Sequence, residues 1–552
     1  STLTRVRLSA FDVAYKVRRS KTGPLNVQPR RGDTRRRNAR MELDYDLILE
    51  EDFDALCLDV KGGSGASSMS SSNPVKYPAK LHARRVAAEL AVGEGLVYLP
   101  GQPEKNLEDS DQPQLFRQRR YFFYLAGANF PDCHVTYEIA ADRLVLWIPY
   151  VEPRQLLWFG SKPSAARCAQ LYDVDEVRYV SQLPRFLRGC PSTTTLYVLH
   201  ADQAPGLDGL GGGMEINHAL LRPAMDRARV VKTDYEVAMI RRANAVSSAA
   251  HRAVAERLLR ISGERDVEAV FQAACTSRGA RAQSYPIIAG AGANASTLHY
   301  SANDQPLAGK QVVVLDAGCE WDCYASDITR TLPIAGAFSP RAAAVHAIVQ
   351  RMQEECIAGV RPGAVFYELH LHAAAVALDG LLRLGILKGD ADEVARAGTV
   401  AAFFPHGLGH HVGLEVHDVA GGLPLIAASA RSLRLEDGKR EMISPQALVA
   451  MGSRSVSARD RERRRLRPNM IVTVEPGIYF CREYLEGYFL SDAAHARFLD
   501  ADVLEGYYPV GGVRIEDCIL VTPDGNENLT TAPKGDELLD VINRGRQGRK
   551  RV

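Results

Sequence analysis

The spacing of hydrophobic positions switches between helical and strand periods along the chain, and the order of the switches predicts the architecture. From residue 79 to about 225, helical stretches such as 79–91 alternate with short apolar runs at 95–99, 143–148 and 195–199. Strands alternating with helices predict an α/β domain whose sheet is mostly covered. From Thr233 the pattern changes. Thr233, with Glu236 three residues on, reads as a capping box, and behind it Tyr235, Met239, Ala243, Val246, Ala250 and Val254 recur at helical spacing. Val267, Val270, Phe271 and Ala274 mark a second amphipathic helix. Ser339 and Pro340 supply an N-cap and an N1 proline for a third, with Val345, Ile348, Val349, Met352 and Cys356 facing inward. Apolar, β-branched runs lie at 311–317, 470–474 and 513–522. Helices in clusters and strands in pairs predict an α+β domain built on a curved antiparallel sheet.

The ends differ from this body. Residues 1–40 hold twelve Lys and Arg, among them Arg35, Arg36 and Arg37, against Asp12 and Asp33. This composition predicts a basic disordered arm; a mitochondrial presequence is the alternative, because residues 3–19 are Arg-rich and acid-poor. Seven acids between Glu42 and Asp54 then arrive without a Lys or Arg, which makes Met41 a candidate start. Residues 62–73 read as a Gly/Ser loop. The expected organisation is an arm at 1–40, an amino-terminal α/β domain at 41–228, a catalytic domain at 229–540 and a basic tail at 541–552.

Composition narrows the function classes. With 552 residues, 46% hydrophobic and 24% charged, the chain has enough apolar residues for two or three cored domains. No apolar run approaches the roughly 18 residues of a membrane span. The ten cysteines are scattered without a Cys-x-x-Cys pair, which suits a reducing compartment, the cytoplasm, and argues against a thiolate zinc site. The formal charge is +2, but the basic excess sits in the arm, so the body is mildly acidic and offers no face for nucleic acid.

Two features carry chemistry. Residues 404–418 (FPHGLGHHVGLEVHD) set His406, His410, His411 and His417 among Gly407, Gly409 and Gly413 in apolar surroundings. Histidines that dense are metal ligands or proton-handling groups, or else they satisfy hydrogen bonds of a glycine-rich connection. The second feature is a set of carboxylates that local structure does not require. Asp316 interrupts an apolar strand, and Asp327 follows eleven residues later beyond a turn-like Cys319 to Asp322. An antiparallel hairpin of that length can bring both to one region of a sheet. Glu475 ends a strand stopped by Pro476 and Gly477, and Glu516 lies within the 513–522 run, pointing opposite to Ile515. Each alone could form a salt bridge with Arg330 or Arg514. Together, buried carboxylates call for a cation, and an oxygen-rich set with one imidazole suits Mn²⁺ and admits Zn²⁺ or Co²⁺.

The order of these motifs, LDAG, SDITRT, HGLGH, VHD, VEPGIY and RIED, resembles that of the pita-bread metallopeptidases, specifically their aminopeptidase P and prolidase branch. The likeness covers about residues 80–535 and is greatest to fungal Xaa-Pro aminopeptidases of prolidase-like sequence. It implies a pita-bread catalytic domain preceded by a smaller α/β domain, and two divalent ions per subunit, with Mn²⁺ the expected metal. By the same resemblance Asp327 and Glu516 bridge the ions, Asp316 holds one, and His410 with Glu475 holds the other. His299 and His417 contact substrate and assist proton movement, His406 faces substrate, and Arg461 meets a proline carboxylate. Arg514 and Thr329 orient carboxylates from behind. The implied reaction is attack by a metal-bridging hydroxide on the carbonyl before a penultimate proline. Glu475 takes and returns the proton while His299 or His417 steadies the oxyanion. Peptides with penultimate proline are the implied partners, a homodimer is a further expectation, and neither nucleic acid nor membrane is expected.

The sequence departs from the family between Leu423 and Arg459, where it is long and irregular, and the crowded Arg463, Arg464 and Arg465 make Arg464 an alternative to Arg461. A dipeptide-only prolidase and an inactive peptidase-like binding protein are the rival readings. His411 is expected to pack. His370 and His372, two apart on a helix, do not share a face.

Overall fold

The computed structural model describes residues 76–205, 214–422, 425–426 and 464–547. The basic arm, the acidic run after Met41, the Gly/Ser stretch, Arg461 and most of the irregular segment lie outside the described residues, as do the last five of the basic tail.

Six strands form the first sheet: β1 (Leu96–Pro100), β2 (His134–Glu138), β3 (Arg143–Ile148), β4 (Glu176–Tyr179), β5 (Thr195–Tyr197) and β6 (Glu215–Asn217), in the order β4-β3-β2-β1-β5-β6. The sheet is mixed: β2 pairs antiparallel with β1 and β3, whereas β4 and β5 run parallel to their inner neighbours. Alternation along β3 explains why both faces are covered. Leu144, Leu146 and Ile148 enter one apolar cluster, and Val145 and Trp147 enter another on the opposite side. The helix Ala79–Leu90 begins where the periodicity predicts and packs against the helix Leu221–Val230.

The second part opens with the helix Asp234–Arg257, and the capping box is present: Thr233 and Glu236 exchange side chain and backbone hydrogen bonds. Ser339 caps the helix Pro340–Gly359, which buries Val345, Val349, Met352 and Cys356 against the helix Phe366–Arg383. On that second helix His370 is buried, while His372 is exposed and reaches Glu355 at 2.6 Å.

Among the described residues, ten further strands build the antiparallel part. β7 (Ile288–Ala291), β8 (Val312–Asp316) and β11 (Thr329–Pro333) form one sheet in the order β11-β8-β7, and β9 (Glu320–Trp321) with β10 (Tyr324–Ala325) makes a small hairpin between β8 and β11. The hairpin turn falls at Asp322 and Cys323, both at positive φ, rather than at Cys319 to Asp322. Two successive left-handed residues match the right-handed twist of the flanking strands.

β12 (Ile471–Val474) pairs with β15 (Asp517–Val521), which also pairs with β16 (Asn526–Asn528), while β13 (Gly477–Tyr479) pairs with β14 (Gly512–Arg514). The run 513–522, read from sequence as one strand, is therefore broken at Ile515 and Glu516. The cause is opposite it: Pro476 lacks the N–H that would continue the ladder. The partners resume at Gly477 and Arg514, so both strands kink at one level. At the kink the Ile515 N–H donates to the Pro476 carbonyl at 3.3 Å, and the Glu516 N–H donates to that of Thr329 at 3.0 Å. Glu516 thereby turns toward β11, where its carboxylate accepts from Thr329.

Candidate metal centre

Five side chains converge where these sheets meet. Asp316 ends β8 opposite Thr329, Asp327 lies two residues before β11, and Glu475 and Glu516 occupy the kink. His410 arrives on a segment without helix or strand that lies along the free edge of β12. There the Thr473 N–H donates to the His410 carbonyl at 2.8 Å, the Glu475 N–H to that of Leu408 at 2.8 Å, and the Val412 N–H to that of Ile471 at 3.0 Å. Gly409 permits this approach, since a Cβ there would stand 2.1 Å from the Thr473 carbonyl oxygen.

Potential ligand atoms of three overlapping sets, Asp316–Asp327–Glu516, His410–Glu475–Glu516 and Asp327–His410–His417, lie within 4.8 Å of one another in each set. His410 Nε2 stands 3.4 Å from Asp327 Oδ2 and 3.3 Å from Glu475 Oε1. Its Nδ1–H donates to the His411 carbonyl at 3.0 Å, which turns Nε2 toward the carboxylates.

The polar atoms around the cluster test whether it suits cations. Asp316 Oδ2 accepts from Arg514 at 2.6 Å and Glu516 Oε2 from the Thr329 hydroxyl at 2.7 Å, as the sequence led us to expect. Their other oxygens, Asp316 Oδ1 and Glu516 Oε1, are buried with no hydrogen-bond partner. An orphaned carboxylate oxygen costs too much to bury unless a proton or a cation meets it. Arg330, the other candidate for a simple salt bridge, is turned away: it pairs with Asp517 at 2.8 Å and donates to the carbonyls of Ala532 and Pro533. The donor set thus fits divalent ions.

Protonation shifts tell the same story. Burial, then the charges of Asp327, Glu475 and Asp316, push Glu516 well above the carboxylate range. Burial raises Glu475 to about 7, with His410 pulling the other way. Burial opposes charging His410, but the hydrogen bond to Asp327 and the field of Glu475 outweigh it and push the imidazole up to about 9. A proton and a metal ion compete for the same Nε2 lone pair.

The remaining expected residues separate. The His417 ring is exposed and meets that of His410 edge-on, centroids 4.2 Å apart. His299 is exposed on a turn, close enough for its charge to act on His406. His406 belongs to none of the three sets: its Nδ1 bonds the Gly407 carbonyl at 2.8 Å and its Nε2 the Tyr479 hydroxyl at 2.9 Å. His411 is buried, as expected, and forms a bridge with Val472.

Sequence reasoning missed Tyr285, whose hydroxyl donates to Asp327 Oδ1 at 2.5 Å, and Tyr479, which accepts from Arg514 at 3.0 Å. It also missed Thr473, whose hydroxyl donates to Glu475 Oε1 at 3.3 Å. Thr473 had a signal, because positions two apart on a strand share a face. Tyr285 had none.

A carboxylate cluster with one imidazole, set on kinked antiparallel strands behind a covered α/β domain, defines a metallohydrolase of pita-bread fold. Residues 238–523 match the metallopeptidase family M24 and residues 81–197 the aminopeptidase P N-terminal domain, and the chain belongs to family M24. A protein of Metarhizium robertsii named probable Xaa-Pro aminopeptidase is 65% identical over 516 residues, covering 92% of this chain and 100% of the relative. A protein of the same name from Colletotrichum graminicola is 59% identical, covering 91% and 99%. Among solved structures, Escherichia coli aminopeptidase P with the inhibitor Pro-Leu matches with a TM-score of 0.67 at 26% identity, over 86% of this chain and 100% of the other. Its zinc-substituted form in complex with product matches at 0.66 and 26%, with the same coverage.

Proposed function

We propose that this protein is a metal-dependent Xaa-Pro aminopeptidase, removing the residue that precedes a penultimate proline. The observation that carries this reading is the convergence of Asp316, Asp327, His410, Glu475 and Glu516 with two orphaned carboxylate oxygens, in a chain 65% identical to a relative of that name. In this reading Asp316, Asp327, His410, Glu475 and Glu516 would hold two divalent ions, most simply Mn²⁺ given the oxygen-rich set. Divalent ions in this position polarise a substrate carbonyl and lower the pKa of water.

The chain's own groups do the rest. Glu475 takes a proton as the carbonyl is attacked and returns it to the proline nitrogen, which must be protonated to leave. His417, whose exposed ring meets that of His410, or His299, exposed and near enough for its charge to act on His406, donates to the oxygen on which negative charge develops. Thr473 and the His410 backbone hold Glu475 and His410 in register, since Thr473 Oγ1 also accepts from the His410 N–H at 3.0 Å. Tyr285 fixes Asp327, and Arg514 fixes Asp316. A proline after the scissile bond has no N–H, so a site that docks substrate through that donor loses a contact and a dedicated site gains the advantage.

We place the start of the catalytic domain at residue 229, just before the Thr233 capping box. The nine described cysteines are all free, which supports a reducing, cytoplasmic setting, and among the described residues no helix is long and apolar enough to cross a membrane.

Metal-free protein reconstituted with Mn²⁺ and assayed on Ala-Pro and Arg-Pro-Pro tests the reading. Release of the first residue from Arg-Pro-Pro is the expected result. Cleavage of the dipeptide alone would make the protein a prolidase, and cleavage of neither with ions bound would sink the proposal.

A further inference from the structure

His417 stands on the segment Gly413 to Asp418, which contains neither helix nor strand, and its ring is exposed. The position of a ring on irregular backbone depends on how firmly the backbone on either side of it is fixed. Here the residues on both sides are carboxylates gripped from outside the catalytic sheet. Two residues before it, Glu415 accepts from both terminal nitrogens of Arg117 at 2.7 and 3.3 Å, and Arg120 Nε approaches at 3.8 Å. One residue after it, Asp418 meets Arg229 at 2.7 Å and Lys232 at 3.0 Å, with all three side chains at most 2% exposed.

Arg117 and Arg120 come from the amino-terminal domain, Arg229 from the last turn of the helix Leu221–Val230 at the junction, and Lys232 from the link to the helix Asp234–Arg257. Arg120 begins the helix Arg120–Ala126, and Tyr121 beside it lies under the Arg229 guanidinium at 4.6 Å. Arg120 also pairs with Glu320 on β9, the hairpin between Asp316 and Asp327, and the Ala325 N–H donates to the Gly413 carbonyl at 2.8 Å. The segment closes on itself as well: the Asp418 N–H donates to the His411 carbonyl at 2.9 Å, and a Cβ at Gly413 would stand 2.1 Å from Asp418 Oδ2.

We propose that the amino-terminal domain and its junction with the catalytic domain form a positioning element of the active site: Arg117 and Arg120 from the domain and Arg229 at the junction hold Glu415 and Asp418 on either side of His417 and so set where its imidazole stands relative to His410 and Asp327. The inference rests on the reading of His417 as a substrate contact. Glu415 and Asp418 touch no substrate in this scheme and act only through His417.

The test is a double-mutant cycle in the full-length protein. Glu415→Gln and Asp418→Asn are made singly and in combination with His417→Ala, and assayed on Arg-Pro-Pro with Mn²⁺. Bound metal is counted, and hydrogen exchange over residues 411–419 is followed in the metal-free protein. Each single change is expected to lower kcat/KM about tenfold, the effect of losing a partner behind a functional group, with metal content unchanged and faster exchange in the segment. In the His417→Ala background neither is expected to cost anything further. Losses that multiply on that background would show a general structural role and overturn the proposal. Full activity in Glu415→Gln and Asp418→Asn, with His417→Ala impaired, would overturn the clamp and leave the assigned role of His417 standing. Full activity in His417→Ala would overturn both. Glu415 is partly exposed, so Glu415→Gln keeps the test decisive if Asp418→Asn fails to fold.

Discussion

The Tyr479 hydroxyl donates to Nε2 of His406 across 2.9 Å, and the direction of that bond is forced. Nδ1 of the same ring faces the Gly407 carbonyl, which can only accept, and burial lowers the imidazole to about 3, so the ring is neutral and Nε2 carries no hydrogen. Tyr479 in turn accepts from Arg514, whose other terminal nitrogen holds Asp316. A directed chain thus runs from His406 to a carboxylate of the cluster. Tyr479→Phe removes the middle link and leaves a half-buried acceptor on His406 and a buried donor on Arg514 unpaired. We expect a loss of about 1–3 kcal/mol in denaturant titration and a fall in kcat through the loosened Arg514. Unchanged stability would show that the chain contributes nothing.

Asp327 meets His410, accepts from Tyr285 and belongs to two of the three potential ligand sets. Asp327→Asn keeps its shape and removes its charge. Activity should fall by more than the roughly 10–100-fold typical of groups behind a ligand. Calorimetric titration with Mn²⁺ should show weaker binding in the same variant. Full turnover would count against the site.

The wild-type protein should be stabilised by the ions themselves, because they relieve repulsion among four clustered carboxylates. Ligand at a hundred times its dissociation constant adds about 2.7 kcal/mol to the native state. The melting temperature should therefore rise with Mn²⁺ and fall on chelation, and the rise should shrink in Asp327→Asn.

Gly409 lies where a Cβ would meet the Thr473 carbonyl oxygen at 2.1 Å, backbone that cannot step aside without opening the edge of β12. Gly409→Ala should cost about 1–3 kcal/mol of stability by urea denaturation, as overpacking does, and should move His410 away from Asp327. A variant as stable and active as the wild type would show that the segment has room to shift.

Buried neutral histidines predict acid sensitivity away from the site. Burial lowers His346 to about 4, helped by Arg330, and burial alone lowers His370 to about 4. Unfolded, each takes up a proton near pH 6.5; folded, each stays neutral down to about 4. Between those values unfolding binds protons, so their contribution is complete above pH 6.5 and declines as pH falls, by about 1.4 kcal/mol per unit for each residue. Denaturant titrations at pH 7 and pH 5 should show a smaller loss in His346→Gln than in the wild type; equal losses would rule the effect out.

Much of this was legible in the chain. The capping box at Thr233, the proline start at Pro340, the alternation along β3, the strand end at Asp316 and the end of β12 just before Glu475 follow from local period and local chemistry, which a short window of sequence contains. The four carboxylates of the cluster could be named because carboxylates in apolar strands are conspicuous, whereas His410 was set apart from three neighbouring histidines only by the resemblance of its motif to the family's. Other features depend on groups far apart in sequence and could be decided only by tertiary structure. The break at Glu516 arises from Pro476 on the paired strand. Tyr285 joins the site because β7, β8 and β11 pair around it, and the orphaned oxygens of Asp316 and Glu516 exist only once Arg514 and Thr329 have taken their partners. Arg117 reaches Glu415 across 298 positions. Sequence determined which side chains were available, because side-chain chemistry and local periodicity are properties of the chain. Packing decided which lone pairs remained open and what held His417 in place, because burial and charge pairing are properties of the fold.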